Sequence, residues 1–229
     1  MAFEVSQVIE DYISARSQVF LKACPGSGKT TTVAYKLSVL AENWEDAFGR
    51  FSGIACLSFT NIAKDEISEK YVEFSKIPLG FPHLVSTIDS FINRYITLPF
   101  FYLFQPDAKR PRIVEDGSVI NSAWQRSRLG QEFRNKKNQP IHYSYSPHSI
   151  HVELDGSFSY EGHQPNPEKV DVDTFNEYCK TLKRWQIRER GILTINDSAF
   201  VASYLLEKYP RIASWLAKRF PIIIRRYID

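Results

Sequence analysis

Nine consecutive residues near the start of the chain, Ala23, Cys24, Pro25, Gly26, Ser27, Gly28, Lys29, Thr30 and Thr31, have the types and spacing to hold the phosphates of a nucleotide. Gly26 and Gly28 allow backbone N–H groups to approach phosphate oxygens. Lys29 is long enough to reach the β- and γ-phosphates, and the Thr30 hydroxyl suits a Mg2+ ion. A helix that begins at Lys29 adds the partial positive charge of its N-terminus. The chemistry implied is binding of a nucleotide with Mg2+, which kinases, GTPases and motors share. Ala23 stands where the usual pattern has its first glycine.

A phosphate loop works only when a strand delivers it and a helix receives it. Residues 19–23 read as a short apolar strand, 25–28 as a tight loop and 29–40 as an amphipathic helix, so both flanks are present. Two similar passages follow. Residues 54–59 form a buried strand that ends in Thr60 and Asn61 before a helix, and 84–86 form a strand that ends in Thr87 before a helix from Asp89. The branched run Ile222, Ile223, Ile224 reads as a further buried parallel strand. In an open parallel sheet, ligands gather along the carboxyl edge of the strands, which is where these polar ends fall.

At this point the residues resemble the UvrD/Rep-like superfamily 1 DNA helicases. ACPGSGKTTT is similar to that family's ATP-binding motif, LSFTNIAKDEI to its second motif, which contacts single-stranded DNA, and STIDSF to the motif after it. Gln7 lies about as far before the loop as the family's adenine-reading glutamine, and 193–220 resemble the helical lead-in to the acidic motif, with Asp197 at a commonly acidic position. The similarity is clear over 1–97 and 191–220. It implies an α/β fold, a P-loop RecA-like parallel sheet flanked by helices, with 1–97 and 191–229 forming a partial ATP-binding domain. Residues 98–190 would be an inserted DNA-binding-type subdomain, mainly helical. The activity implied is ATP-driven movement along DNA, a hydrolase reaction. Phe59, Thr60, Asn61, Thr87, Asp89 and Ser90 would line the path of the strand. Phe59 either stacks on a base or belongs to the core. Asp89 departs from a frequent histidine, and Ile62 from a frequent lysine.

The insertion has features of its own. Between Lys109 and Lys137 lie eight Lys or Arg residues against three acids, with Trp124 and Phe133 interleaved, and a second basic cluster surrounds Trp185. Arg126, Arg128, Lys136 and Lys137 are the candidate contacts to a phosphate backbone, and a solvated helical face is the competing explanation. SIHVELDGSFSYEGH alternates and turns at Asp155 and Gly156 like a β-hairpin, a departure from the helical insertion of the family. A helix is expected over 173–188. The histidines nearby are too irregularly spaced to imply a metal site.

The end of the chain bears on catalysis. Family members finish the last of these strands in an Asp-Glu pair, the Asp holding Mg2+ and the Glu polarising water. If the isoleucines align with that strand, Arg225 and Arg226 replace both acids. If YID begins the motif, Asp229 is the metal ligand and the sequence stops before its glutamate. The resemblance then implies a complete ATP site only with a second motor domain or partner chain, and negligible hydrolysis by these 229 residues alone. A nucleotide-dependent single-stranded DNA-binding module without ATPase activity is the alternative. A small-molecule P-loop kinase fits the loop but leaves LSFTNIAKDEI and STIDSF unexplained.

Composition sets the outer limits. With 43% hydrophobic and 24% charged residues and a formal net charge of +3, the chain reads as globular, and no apolar run approaches the length of a membrane span. The N-terminus lacks the pattern of a secretion signal, so a cytoplasmic location is expected. Cys24, Cys56 and Cys179 are widely spaced and odd in number, which argues for reduced, buried thiols.

Overall fold

The computed structural model describes residues 7–15 and 27–225, apart from the Val8 side chain. The expected strand over 19–23, the residues Ala23, Cys24, Pro25 and Gly26, and Arg226 and Asp229 lie outside the described residues. The helices are α1 (Gln7–Ser14), α2 (Lys29–Glu42), α3 (Trp44–Phe48), α4 (Asn61–Ser75), α5 (Ile88–Ile92), α6 (Leu98–Phe104), α7 (Ser118–Gln125), α8 (Arg128–Glu132), α9 (Val172–Lys183), α10 (Ile195–Lys208) and α11 (Pro210–Arg219). The strands are β1 (Ile54–Ser58), β2 (Leu84–Thr87), β3 (Arg112–Ile113), β4 (Ile150–Val152), β5 (Phe158–Tyr160), β6 (Ile192–Leu193) and β7 (Ile222–Arg225). None of the described helices is long and apolar enough to cross a membrane. The chain divides into two compact units, Met1–Phe91 with Arg211–Asp229, and Ile92–Pro210. The sequence reading set its boundaries after 97 and 190 instead.

The first unit is built on a parallel sheet of order β2-β1-β7. β1 is the middle strand, and all of its residues are buried, which is why IACLS is apolar without alternation. Its register sets Cys56 beside Val85 of β2 and Ile224 of β7. Val33, Leu37 and Leu40 of α2 and Ile67 and Tyr71 of α4 join Ile54, Cys56 and Ile224 in one core. Each large apolar side chain buried there contributes roughly 1.5–3 kcal/mol. Burial also pushes the Cys56 thiol up to about 12, so it stays protonated and acts as a small apolar group. Just before β1 the chain passes close to a neighbour. A Cβ at Gly53 would lie 2.0 Å from the Pro82 carbonyl oxygen, so only glycine fits there.

The second unit has an aromatic core. Trp124 of α7, Ile141, Tyr145, Ile150 of β4, and Phe175, Tyr178, Leu182 and Trp185 of the α9 region pack together. The Trp124 and Trp185 rings meet edge to face at 5.1 Å, and Tyr145 meets Phe175 in the same way at 5.1 Å. β4 and β5 pair antiparallel, Ile150 opposite Tyr160, across a turn with Gly156 at φ 82. β3 pairs parallel with β6, which joins the early and late parts of the unit. The helix expected over 173–188 continues as α9 only to Lys183 and then widens into a π-helical stretch, Arg184–Glu189.

Asp197 shows why that stretch is held. It is fully buried, and its carboxylate accepts from Lys183 Nζ at 2.7 Å, Gln186 Nε2 at 2.7 Å and the Thr194 backbone N–H at 3.0 Å. Thr194 and Asp197 form a capping box at the start of α10. The Gln186 amide also donates to the Ile192 carbonyl at 3.2 Å, tying the π-helical stretch to β6. Both oxygens of the buried carboxylate therefore have partners within the second unit.

Candidate nucleotide and nucleic-acid site

Gly28 introduces α2 in the left-handed conformation, φ 79 and ψ 21, with open space where a side chain would stand. A residue with a Cβ is strained in that conformation, so the glycine at this place in the phosphate loop is required by the backbone. The helix then starts at Lys29, and its N-cap residue, a glycine, brings no side chain to cap it. Such a terminus favours an anion. Ser27 and Gly28 are exposed, Lys29 and Thr31 half-buried, and Thr30 is buried at 5% exposure. The described part of the loop thus sets an ammonium, the N–H groups of a helix start and the Thr30 hydroxyl next to one another, groups of the kind that could hold a phosphate and a Mg2+ ion.

Gln7 sits in the first turn of α1, and its amide donates to Asp11 Oδ1 at 3.1 Å. α1 is fixed to α2 by a residue that sequence reading missed. Lys36 is 5% exposed; its ammonium donates to the Tyr12 carbonyl at 2.7 Å and the Ala15 carbonyl at 3.3 Å, and stands 4.2 Å from the centre of the Tyr12 ring. The signal was present: Lys36 falls on the buried stripe of Val33, Leu37 and Leu40, where a charge needs partners.

The carboxyl ends of β1, β2 and β7 lie in register, Ser58 beside Thr87 and Leu57 beside Arg225. Thr60 caps α4, its hydroxyl accepting from the Ala63 N–H at 3.1 Å, while Ser58 donates to the Thr60 carbonyl at 2.9 Å. Thr87 does the same for α5: its oxygen accepts from the Ser90 N–H at 3.2 Å and its hydroxyl meets Ser90 Oγ at 2.8 Å. These caps fix the turns from strand to helix, at about 1 kcal/mol each. Asn61, Asp89 and Ser90 remain exposed beside them. Phe59 is 45% exposed, and the Arg225 guanidinium lies 4.8 Å from the centre of its ring. One edge of the first unit therefore gathers Phe59, Thr60, Asn61, Thr87 and Arg225.

In the second unit the four candidate basic residues are exposed on short elements. Arg126 donates to the Ser122 carbonyl at 3.0 Å, Arg128 pairs with Glu132 at 3.0 Å, and Lys136 pairs with Asp171 at 2.8 Å. Lys137 lies in a turn organised by Asn135, whose side-chain oxygen accepts from the N–H groups of Lys137 and Gln139, each at 3.0 Å. The histidines have separate tasks: His142 Nδ1 meets the Gly130 carbonyl at 3.0 Å, and His148 Nδ1 meets Asn121 at 2.9 Å.

A mixed α/β architecture with a parallel sheet and helices is consistent with a helicase N-terminal domain. The chain belongs to the UvrD/REP helicase N-terminal domain family, whose model matches residues 5–224. Comparison with curated proteins gave no match.

Proposed function

We propose that this chain is the N-terminal ATP-binding portion of a UvrD-like ATP-dependent DNA helicase or translocase. Membership of a family whose helicases use ATP with Mg2+ and bind DNA supports the reading. The observation that carries it is Gly28 in its left-handed conformation at the start of α2, directly before Lys29. Lys29 neutralises phosphate charge, the Thr30 hydroxyl ligates Mg2+, and Gln7 reads adenine once it exchanges its bond to Asp11 for the base. Bound ATP supplies the phosphoanhydride whose cleavage drives movement. Along the carboxyl edge, Asn61 and Ser90 offer amide and hydroxyl groups that hold a strand without reading its sequence, Thr60 and Thr87 fix the turns that present them, and Asp89 lies beside them on the same path. The basic residues Arg126, Arg128, Lys136 and Lys137 add attraction to phosphates.

Hydrolysis by these 229 residues is negligible in this proposal, because Arg225 places a cation at the end of β7, where a metal-binding acid is needed. The same feature favours the second reading, a nucleotide-dependent single-stranded DNA-binding module without ATPase activity. Calorimetry with ATP and Mg2+ tests the site: weak binding is expected for the wild type and none for Lys29→Ala, and equal affinity of the two refutes the assignment. Phosphate release stimulated by single-stranded DNA, and lost in Lys29→Ala, overturns the claim of negligible hydrolysis.

A further inference from the structure

The contact between Arg225 and Phe59 lies outside the apolar core. The strand register places Arg225 beside Leu57, and the guanidinium extends past that level to stand 4.8 Å from the ring centre of Phe59, two residues further along. β7 buries Ile224 at 5% exposure, whereas Arg225, which follows it, is exposed, and so is Phe59. A buried arginine on a ring is a packing device. An exposed pair at a strand end, with the guanidinium over the ring, brings a positive charge and an aromatic surface to one place, the two groups that one nucleotide calls for with its phosphate and its base. Thr60 and Thr87 flank this pair, and their hydroxyl oxygens are already engaged as helix caps. Arg225 adds a cation next to the exposed ring at this edge.

Resting on the DNA reading above, we propose that Arg225 is a phosphate-binding residue of the single-strand path, holding the phosphate of the nucleotide whose base stacks on Phe59. The guanidinium orients the ring and neutralises the phosphate. The end of β7 then serves the nucleic acid in this chain, in place of the metal.

The test is binding of a fluorescent oligothymidylate to the 229-residue chain across a salt series. Arg225→Gln should weaken binding about fivefold to tenfold at low salt and reduce the slope of log affinity against log salt by about 0.7, the loss of one phosphate contact on a single strand. Arg225→Lys should retain the slope, and Phe59→Leu should lower affinity while leaving the slope unchanged. A residue that only supports the fold would not move the slope. If the wild type binds with a salt-dependent affinity and Arg225→Gln leaves that slope unaltered, this proposal fails while the DNA reading stands. If the wild type retains no oligothymidylate at low salt, both fail together.

Discussion

Two charged clusters, one in each unit, have been given opposite surroundings. In the second unit Lys183 and Asp197 are 5% and 0% exposed and locked to each other, to Gln186 and to the Thr194 backbone. In the first, Arg225 is exposed and lies on a ring that is itself 45% exposed. The contrast separates two uses of charge. A buried carboxylate with every oxygen engaged is committed to structure, so it is a poor candidate for activating water. An exposed cation at a strand end contributes little to the fold and lies where a ligand can reach it.

The comparison is broken most directly at the buried cluster. Asp197→Ala leaves the Lys183 ammonium buried without its counter-charge and should cost about 3–5 kcal/mol. Urea unfolding followed by tryptophan fluorescence reads this, since Trp124 and Trp185 lie in the core of the same unit. A loss below about 1 kcal/mol would return Asp197 to the list of functional acids. Lys36→Ala comes next. Removing its ammonium leaves the Tyr12 carbonyl without its buried donor, at a cost of about 1–3 kcal/mol. Hydrogen exchange should show the loss concentrated in α1, and uniform exchange throughout the first unit would contradict that role.

Acidification sharpens the contrast through histidine. Burial, then the charge of Arg219, lowers the affinity of His83 for a proton, and its Nδ1 accepts from the Ile54 N–H at 3.2 Å at the start of β1. Burial likewise lowers His142 and His151 in the second unit. A histidine held below its ordinary value binds fewer protons folded than unfolded. Its contribution is therefore complete above about pH 6.5, its unfolded value, and is lost as pH falls from there through the lowered folded value. The thermal midpoint should drop between pH 7.5 and 5.5, and His83→Asn should reduce the drop; an identical pH profile for the variant would exclude His83. The smallest effect on stability belongs to the exposed charges. Reversing Arg126, Arg128, Lys136 and Lys137 to glutamate together should move stability by only about 0.5 kcal/mol per site or less. It should flatten the salt dependence of DNA binding, and an unchanged dependence would leave the patch as a solvated face.

Much of this was legible in the sequence, for identifiable reasons. The strand at 54 showed because a parallel strand buried on both faces is continuously apolar. The isoleucine run reads as buried in the same way, but β7 buries only Ile224 and leaves Ile223 54% exposed, and β2 is buried only at Ser86 and Thr87. The start of α2 showed because a glycine followed by Lys29 is a strong local signal. The caps at Thr60 and Thr87 were read only as polar strand ends, although Thr194 followed three residues later by Asp197 is an ordinary capping pattern. The partners of Asp197 were hidden because Lys183 and Gln186 belong to the preceding helical segment, and no periodicity links them to α10. The change from α- to π-helix after Lys183 left no mark in a pattern that depends on apolar spacing. The stacking of Arg225 on Phe59 was also beyond reach, since it depends on which strand lies beside β1 and in which register.

Lys36 has a further consequence for protein chemistry. An amine held at 2.7 Å from one carbonyl and 3.3 Å from another is withdrawn from reagents that acylate lysines. In a timed labelling experiment it should be among the slowest amines to react, and each modified copy would report a moment when the amino-terminal helix had lifted away from its neighbour. The rate of that single modification, followed by mass spectrometry with and without nucleotide, turns the Lys36 contact into a clock for the opening of the segment that carries Gln7.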